Sequence, residues 1–301
     1  MNKRHGFLDL ANTGKNSIIR WVIGSLIILF GFWGIGSLPS LFICSDQIAG
    51  FNCSDFNVTQ LYDAPPVILE YILLHWSFVL GILFIFITIR FVHRRRLTQI
   101  ITHRITIDYD RMLYAIKVGL IIYGIDFLAS FFMGYPPVLN EFSAPRYITF
   151  FLFAIILTPI QASMEEIFFR GYILQGTGLV TSSIPILAIT NGILFIVWHV
   201  GNVGFADAIP FYFFFGVLTT YITIKDNGIE LAMGLHSINN LFIFLIISPG
   251  LESWDNLAIF SGSPMSLGLL LFPIIYAVFS RKYKWGDKWV DSLFDKIKIR
   301  V

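Results

Sequence analysis

"MEEIFFRG", residues 164–171, lies inside an apolar window at 147–175 and carries three charges in six positions. That window is long enough to cross a bilayer. A charge in the middle of a membrane helix costs about 2.5–3.5 kcal/mol on the translocon scale, so each one needs a partner or a task. Glu166 and Arg170 stand four residues apart, acid before base, and meet on one helix face where they can neutralise each other. Glu165 is turned by about 100° from Glu166 and has no partner on its own helix. The stretch therefore divides into a self-neutralising brace and a working carboxylate. The alternative is that all three charges face water at the inner interface.

The rest of the chain supports the membrane reading. Of 301 residues, 56% are hydrophobic and 13% charged, with 31 phenylalanines, and the mean hydropathy is +0.73. A soluble domain of this length is far more polar. Apolar windows at 18–43, 67–92, 112–134, 147–175, 184–200, 208–224, 231–248 and 264–280 predict an all-α, polytopic membrane helix bundle of about eight spans. Basic residues cluster at Lys3, Arg4, Lys15 and Arg20, at Arg94, Arg95, Arg96, Arg104 and Arg111, at Lys225, and from Arg281 to Arg300. The intervening loops carry almost none. By the positive-inside rule both termini face the cytoplasm, and the short tails and compact loops suit a bacterial cytoplasmic membrane. The net charge of +2 follows membrane topology and gives no reason to expect nucleic acid.

The first window has a basic flank but no small-residue cleavage site, so it reads as an uncleaved anchor. Cys44 and Cys53 both fall in the first outer loop, where a disulfide would persist. The alternative is two free thiols. Glu70 and His75 read as interfacial, and Lys117 can snorkel to the inner edge. Asp126, nine residues from Lys117, points to a different face.

Two further elements carry polar groups into apolar windows. His199 ends "FIVWH" (195–199). In "HSINN" (236–240), His236 and Asn240 are four apart and share a face, which suits two donors aimed at a developing oxyanion. Hydrogen bonding between helices is the plainer use of such residues. The rise per residue puts Glu165 roughly 15 Å, His236 roughly 8 Å and His199 about 23 Å from the inner ends of their windows, so counting alone does not bring them level. Three polar groups on three neighbouring elements nonetheless suggest one shared cavity.

Taken in order, "EEIFFR" (165–170), "FIVWH" and "HSINN" resemble the EExxxR, FxxxH and HxxxN motifs of the CAAX-protease and bacteriocin-processing (CPBP, or Abi) family, which includes the Ras-converting prenyl-protein endopeptidase. The resemblance covers 147–248. It implies a protease core there, an N-terminal membrane region at 1–146, and a last span with a basic tail at 249–301. It also implies a helical bundle with a catalytic cavity inside the membrane. On this resemblance Glu165 is the general base for the attacking water, with Glu166 and Arg170 supporting it. His199 shares the water, and His236 and Asn240 stabilise the oxyanion. The substrate is expected to be a membrane-anchored or C-terminal peptide within the lipid bilayer. Zinc is compatible with His199 and His236 as ligands. No HExxH is present, so no metal is expected to be obligatory. The other readings are a non-catalytic relative acting as an immunity or scaffold protein and, further off, a proton-coupled transporter. The windows at 18–43 and 67–92 carry no family motif and are expected to form an added wall or to bind a substrate or partner.

Overall fold

The computed structural model describes residues 6–39, 65–199, 205–249, 257–262 and 268–297. Cys44 and Cys53, and with them the expected disulfide, lie outside the described residues. Each of the eight apolar windows contains a helix: α1 (Ile18–Ile35), α2 (Val67–Val92), α3 (Tyr109–Phe132), α4 (Ala144–Gly178), α5 (Ile184–Trp198), α6 (Phe205–Asp226), α7 (Glu230–Leu245) and α8 (Leu271–Tyr283). The first four are long and apolar enough to cross a membrane, and α5 is a shorter apolar helix. The protein is a mostly helical integral membrane protein. Leu120, Ile121, Ile125 and Leu128 on α3, with Leu152 and Ile156 on α4, stand half or more exposed. A water-soluble monomer rarely shows apolar area on that scale.

Helix starts follow local chemistry. The Asp108 carboxylate accepts the Arg111 N–H at 3.2 Å and caps α3. Pro145 and Pro185 occupy the first turns of α4 and α5, where a missing N–H costs nothing. Helix α7 is buried along most of its length and packs chiefly against α3 and α4. Glycines allow that closeness: a Cβ on Gly234 would lie 2.3 Å from the Met112 carbonyl, and one on Gly119 would lie 2.4 Å from Ile238.

Each end of α7 is tied down. At its start, Arg104 bridges Asp226 at 3.0 Å and Glu230 at 3.2 Å. Arg111 pairs with Asp108 at 2.9 Å and with Asp226, and lies 4.0 Å over the Tyr283 ring. This network joins α3, α6, α7 and α8. Beyond the other end, a small sheet breaks the otherwise helical expectation. Its strands β1 (Val138–Leu139), β2 (Ile247–Ser248) and β3 (Phe260–Ser261) run in the order β1-β3-β2. β3 is antiparallel to β1 and parallel to β2.

The tail also holds an unexpected element, helix α9 (Lys288–Ile297), which buries Val290 and Phe294 against α8. Its approach is fixed by Asp287, which accepts hydrogen bonds from Lys225 at 2.6 Å, Ser280 at 2.7 Å and Tyr276 at 2.9 Å. Burial pushes this carboxyl up, but those bonds together outweigh it and hold the group below the usual carboxylate value. A lowered folded pKa gives stability that is present above the unfolded value and lost as pH falls through the acid range. Asp287→Ala is expected to cost about 1–3 kcal/mol at neutral pH and far less near pH ~3, read by thermal unfolding in detergent. An equal loss at both pH values would contradict this linkage.

Candidate active site

Glu165 and Glu166 end the regular part of α4, and the chain then winds through a wider π turn from Ile167 to Ile173 before resuming as an α-helix. Such wide turns recur at functional sites. Arg170 lies within it and is wholly buried. Its Nη1 donates to Glu166 Oε1 at 3.0 Å, as the four-residue spacing predicts. The guanidinium lies 4.4 Å over the Phe195 ring and 5.7 Å from that of Phe169. Its Nε and Nη2 have no hydrogen-bond partner among the described residues.

Glu166 does more than hold Arg170. The same Oε1 meets His236 Nδ1 at 2.8 Å, a contact that spacing along one helix could not reveal. A carboxylate oxygen only accepts, so Nδ1 carries the hydrogen. The ring thereby presents Nε2 towards Glu165, 3.9 Å from Oε2.

His199 caps the end of α5. Its Nδ1 stands 2.7 Å from the Phe195 carbonyl oxygen and must donate to it. In the neutral ring Nε2 is then a lone pair, and it stands 4.0 Å from Glu165 Oε2. Tyr212, on α6, stacks on this imidazole at 4.0 Å and 15°. No sequence motif pointed to Tyr212. The two phenylalanines Phe195 and Phe215 edge onto His236 at 5.9 Å and 5.1 Å.

Glu165 Oε2 thus faces two imidazole nitrogens from two other helices. It is buried and has no hydrogen-bond partner among the described residues. The structure brings Glu165, His199 and His236 together despite their unequal counted depths, because the rise along one helix says nothing about where its neighbour begins. Gln161, whose amide meets His75 at 3.2 Å, stands one turn before Glu165 on α4. Asn240 lies one turn beyond His236, and its Oδ1 accepts from Asn239 Nδ2 at 2.9 Å, which orients both amides.

The windows without motifs pack directly on these elements. Trp33 of α1 stacks on Trp198 at 4.8 Å, next to His199. His75 of α2, expected at the interface, is instead fully buried against α4. A one-residue reading missed this because the partner lies 86 positions away. Asp126 is likewise buried, and Lys117 is exposed.

A zinc ion would sit about 2.0–2.1 Å from each nitrogen or oxygen donor. Glu165 Oε2 stands 3.9 Å and 4.0 Å from Nε2 of His236 and of His199. Among the described residues no group of three or more His, Cys, Asp or Glu is placed to hold a metal ion.

Comparison with known proteins comes to the same helices. The family model described as type II CAAX prenyl endopeptidase Rce1-like matches residues 145–242. A Bacillus subtilis (strain 168) protein, printed as "Uncharacterized protein YyaK", is 31% identical over 245 residues, 78% of this chain and 80% of that protein. No solved structure matches the chain.

Proposed function

The chain belongs to the type II CAAX prenyl endopeptidase Rce1-like family, and from that premise we propose that it is an intramembrane endopeptidase hydrolysing membrane-anchored or C-terminal peptide substrates. The observation that carries the reading is Glu165 Oε2, buried, unpartnered and facing Nε2 of both His199 and His236 at 4.0 and 3.9 Å.

A water between Glu165 Oε2 and His199 Nε2 meets two acceptors. Glu165 takes one proton as the water oxygen attacks the peptide carbonyl carbon, and His199 holds the other hydrogen. The carbonyl oxygen becomes an oxyanion. It is met by the Asn240 amide and by the His236 ring, which Glu166 holds through Nδ1. Glu165 then passes its proton to the departing amine as the C–N bond breaks. No step needs a metal.

In this reading all eight helices cross the membrane, both termini are cytoplasmic, and the site opens to an intramembrane cavity. Residues 147–248 are the protease core, with 1–146 forming a wall around it and 249–301 the last span and tail. The exposure of His199, whose side chain remains 15% accessible, supports an approach from its side.

Comparative membrane proteomics of cells carrying wild type or Glu165→Gln at matched expression tests the proposal. Peptide ends found only with wild type would support it and name a substrate. Identical ends with a phenotype that survives the substitution would favour an immunity or scaffold protein. Identical ends with the phenotype lost would return the transporter to contention.

A further inference from the structure

The torsion that swings an imidazole about its Cβ–Cγ bond is soft, so a histidine that must present one nitrogen to a reacting group needs its ring held from outside. His199 is the first residue past the end of α5, with φ −95° and ψ 2°, and its backbone N–H closes a tight turn on the Ile196 carbonyl at 2.9 Å. Its own helix holds the ring at one edge, where Nδ1 meets the Phe195 carbonyl oxygen at 2.7 Å. That bond fixes the edge and leaves the ring free to tilt about it.

Two aromatic rings remove the tilt. Phe195 meets the imidazole edge-on, with 4.6 Å between centroids and 63° between planes. Tyr212 of α6 lies face to face with it, at 4.0 Å and 15°. A stacked ring blocks rotation out of the plane and leaves the in-plane nitrogen unobstructed. That nitrogen is Nε2, which faces Glu165 Oε2 at 4.0 Å. Phe195 contacts the Tyr212 ring as well, at 6.2 Å, so the three rings form one cluster.

Tyr212 reaches this face because α5 and α6 approach closely at a pair of glycines. A Cβ on Gly216 would stand 2.8 Å from the Gly192 Cα, and one on Gly192 would stand 2.9 Å from the Phe213 carbonyl oxygen. Larger side chains at this crossing would part the helices. Gly216 lies one turn from Tyr212 and Gly192 two turns from His199. The crossing therefore sets the distance at which the phenol ring meets the imidazole.

We propose that Tyr212 is a positioning residue, the face of its ring holding the His199 imidazole in the plane that presents Nε2 towards Glu165. The inference rests on the protease reading and assigns to α6 a part in the reaction. Without the stacked ring the imidazole keeps its Nδ1 bond but tilts, and Nε2 leaves the line to Glu165.

Two variants test it: Tyr212→Leu, which removes the stacked ring, and Tyr212→Phe, which keeps it. Each is assayed in detergent with a quenched fluorescent peptide ending in a farnesylated Cys–aliphatic–aliphatic–X sequence. Tyr212→Leu is expected to lower kcat by about 10–100-fold with KM unchanged, the size of loss a small misplacement of a reacting group produces. Tyr212→Phe should stay close to wild type, because stacking belongs to the ring face and not to the hydroxyl. A loss in Tyr212→Phe as large as in Tyr212→Leu would overturn the proposal. So would an unchanged kcat in Tyr212→Leu with only a lower unfolding temperature. A second measurement needs no substrate. In protein carrying carbon-13 in its histidine rings, the Cε1–H resonance of His199, identified as the one lost in His199→Gln, is shielded by the face of Tyr212. It should move downfield in Tyr212→Leu and hold its place in Tyr212→Phe, and an unmoved resonance in Tyr212→Leu would overturn the stacking role. Failure of wild type to cleave the peptide would count against the protease reading, leaving the resonance to decide whether Tyr212 holds the His199 ring.

Discussion

Glu165→Gln is expected to lower peptide hydrolysis by about 10²–10⁴-fold, the usual worth of a general base, while leaving thermal unfolding in detergent unchanged. The substitution keeps the side chain's volume. It replaces an oxygen that has no hydrogen-bond partner, so no existing bond to Oε2 is broken. What changes is chemistry: an amide cannot take a proton from water. Activity within tenfold of wild type, measured as kcat/KM on the same peptide, would remove Glu165 from the role.

Glu166→Ala is expected to behave differently and to cost about 3–5 kcal/mol of stability, because it leaves a buried charge unpaired. Arg170 is 0% exposed, and among the described residues Nη1 is its only nitrogen bonded to a side-chain acid. His236 Nδ1 loses its acceptor at the same time. Removing both charges with Glu166→Ala/Arg170→Met should recover much of the stability, since an apolar replacement of a buried pair is often neutral or better. It should not recover activity, because His236 remains unsupported. Equal loss of stability in Glu165→Gln and Glu166→Ala, by thermal shift, would erase the division between brace and base.

How far the residues alone carried this picture depends on the reach of each contact. The eight helices were legible because each is a long apolar run, and the Glu166–Arg170 pair because four residues make one turn. Helix α9 was passed over as a basic tail, although Val290 and Phe294 recur at helical spacing. The three motifs held the carboxylate and the two imidazoles that the structure brings together, and their order raised the prospect of one cavity. They did not supply the link from Glu166 to His236, the stacking of Tyr212 on His199, or the burial of His75. Each of these joins residues on different helices, and an amphipathic period has no term for what a neighbouring helix contributes.

The local nature of the Glu166–Arg170 bond bears on how the protein reaches the membrane at all. Its two partners sit on one helix, so the bond can close while α4 is still alone among the lipids, before any other span has docked. Two of the three charges in the segment then enter as a nearly neutral unit, which lightens the cost of partitioning. Assembly has only to bring His236 to a carboxylate already held in place. Biogenesis and chemistry thus make opposite demands on adjacent glutamates: one has its ion-pair partner from the start, the other meets its histidine neighbours only on assembly.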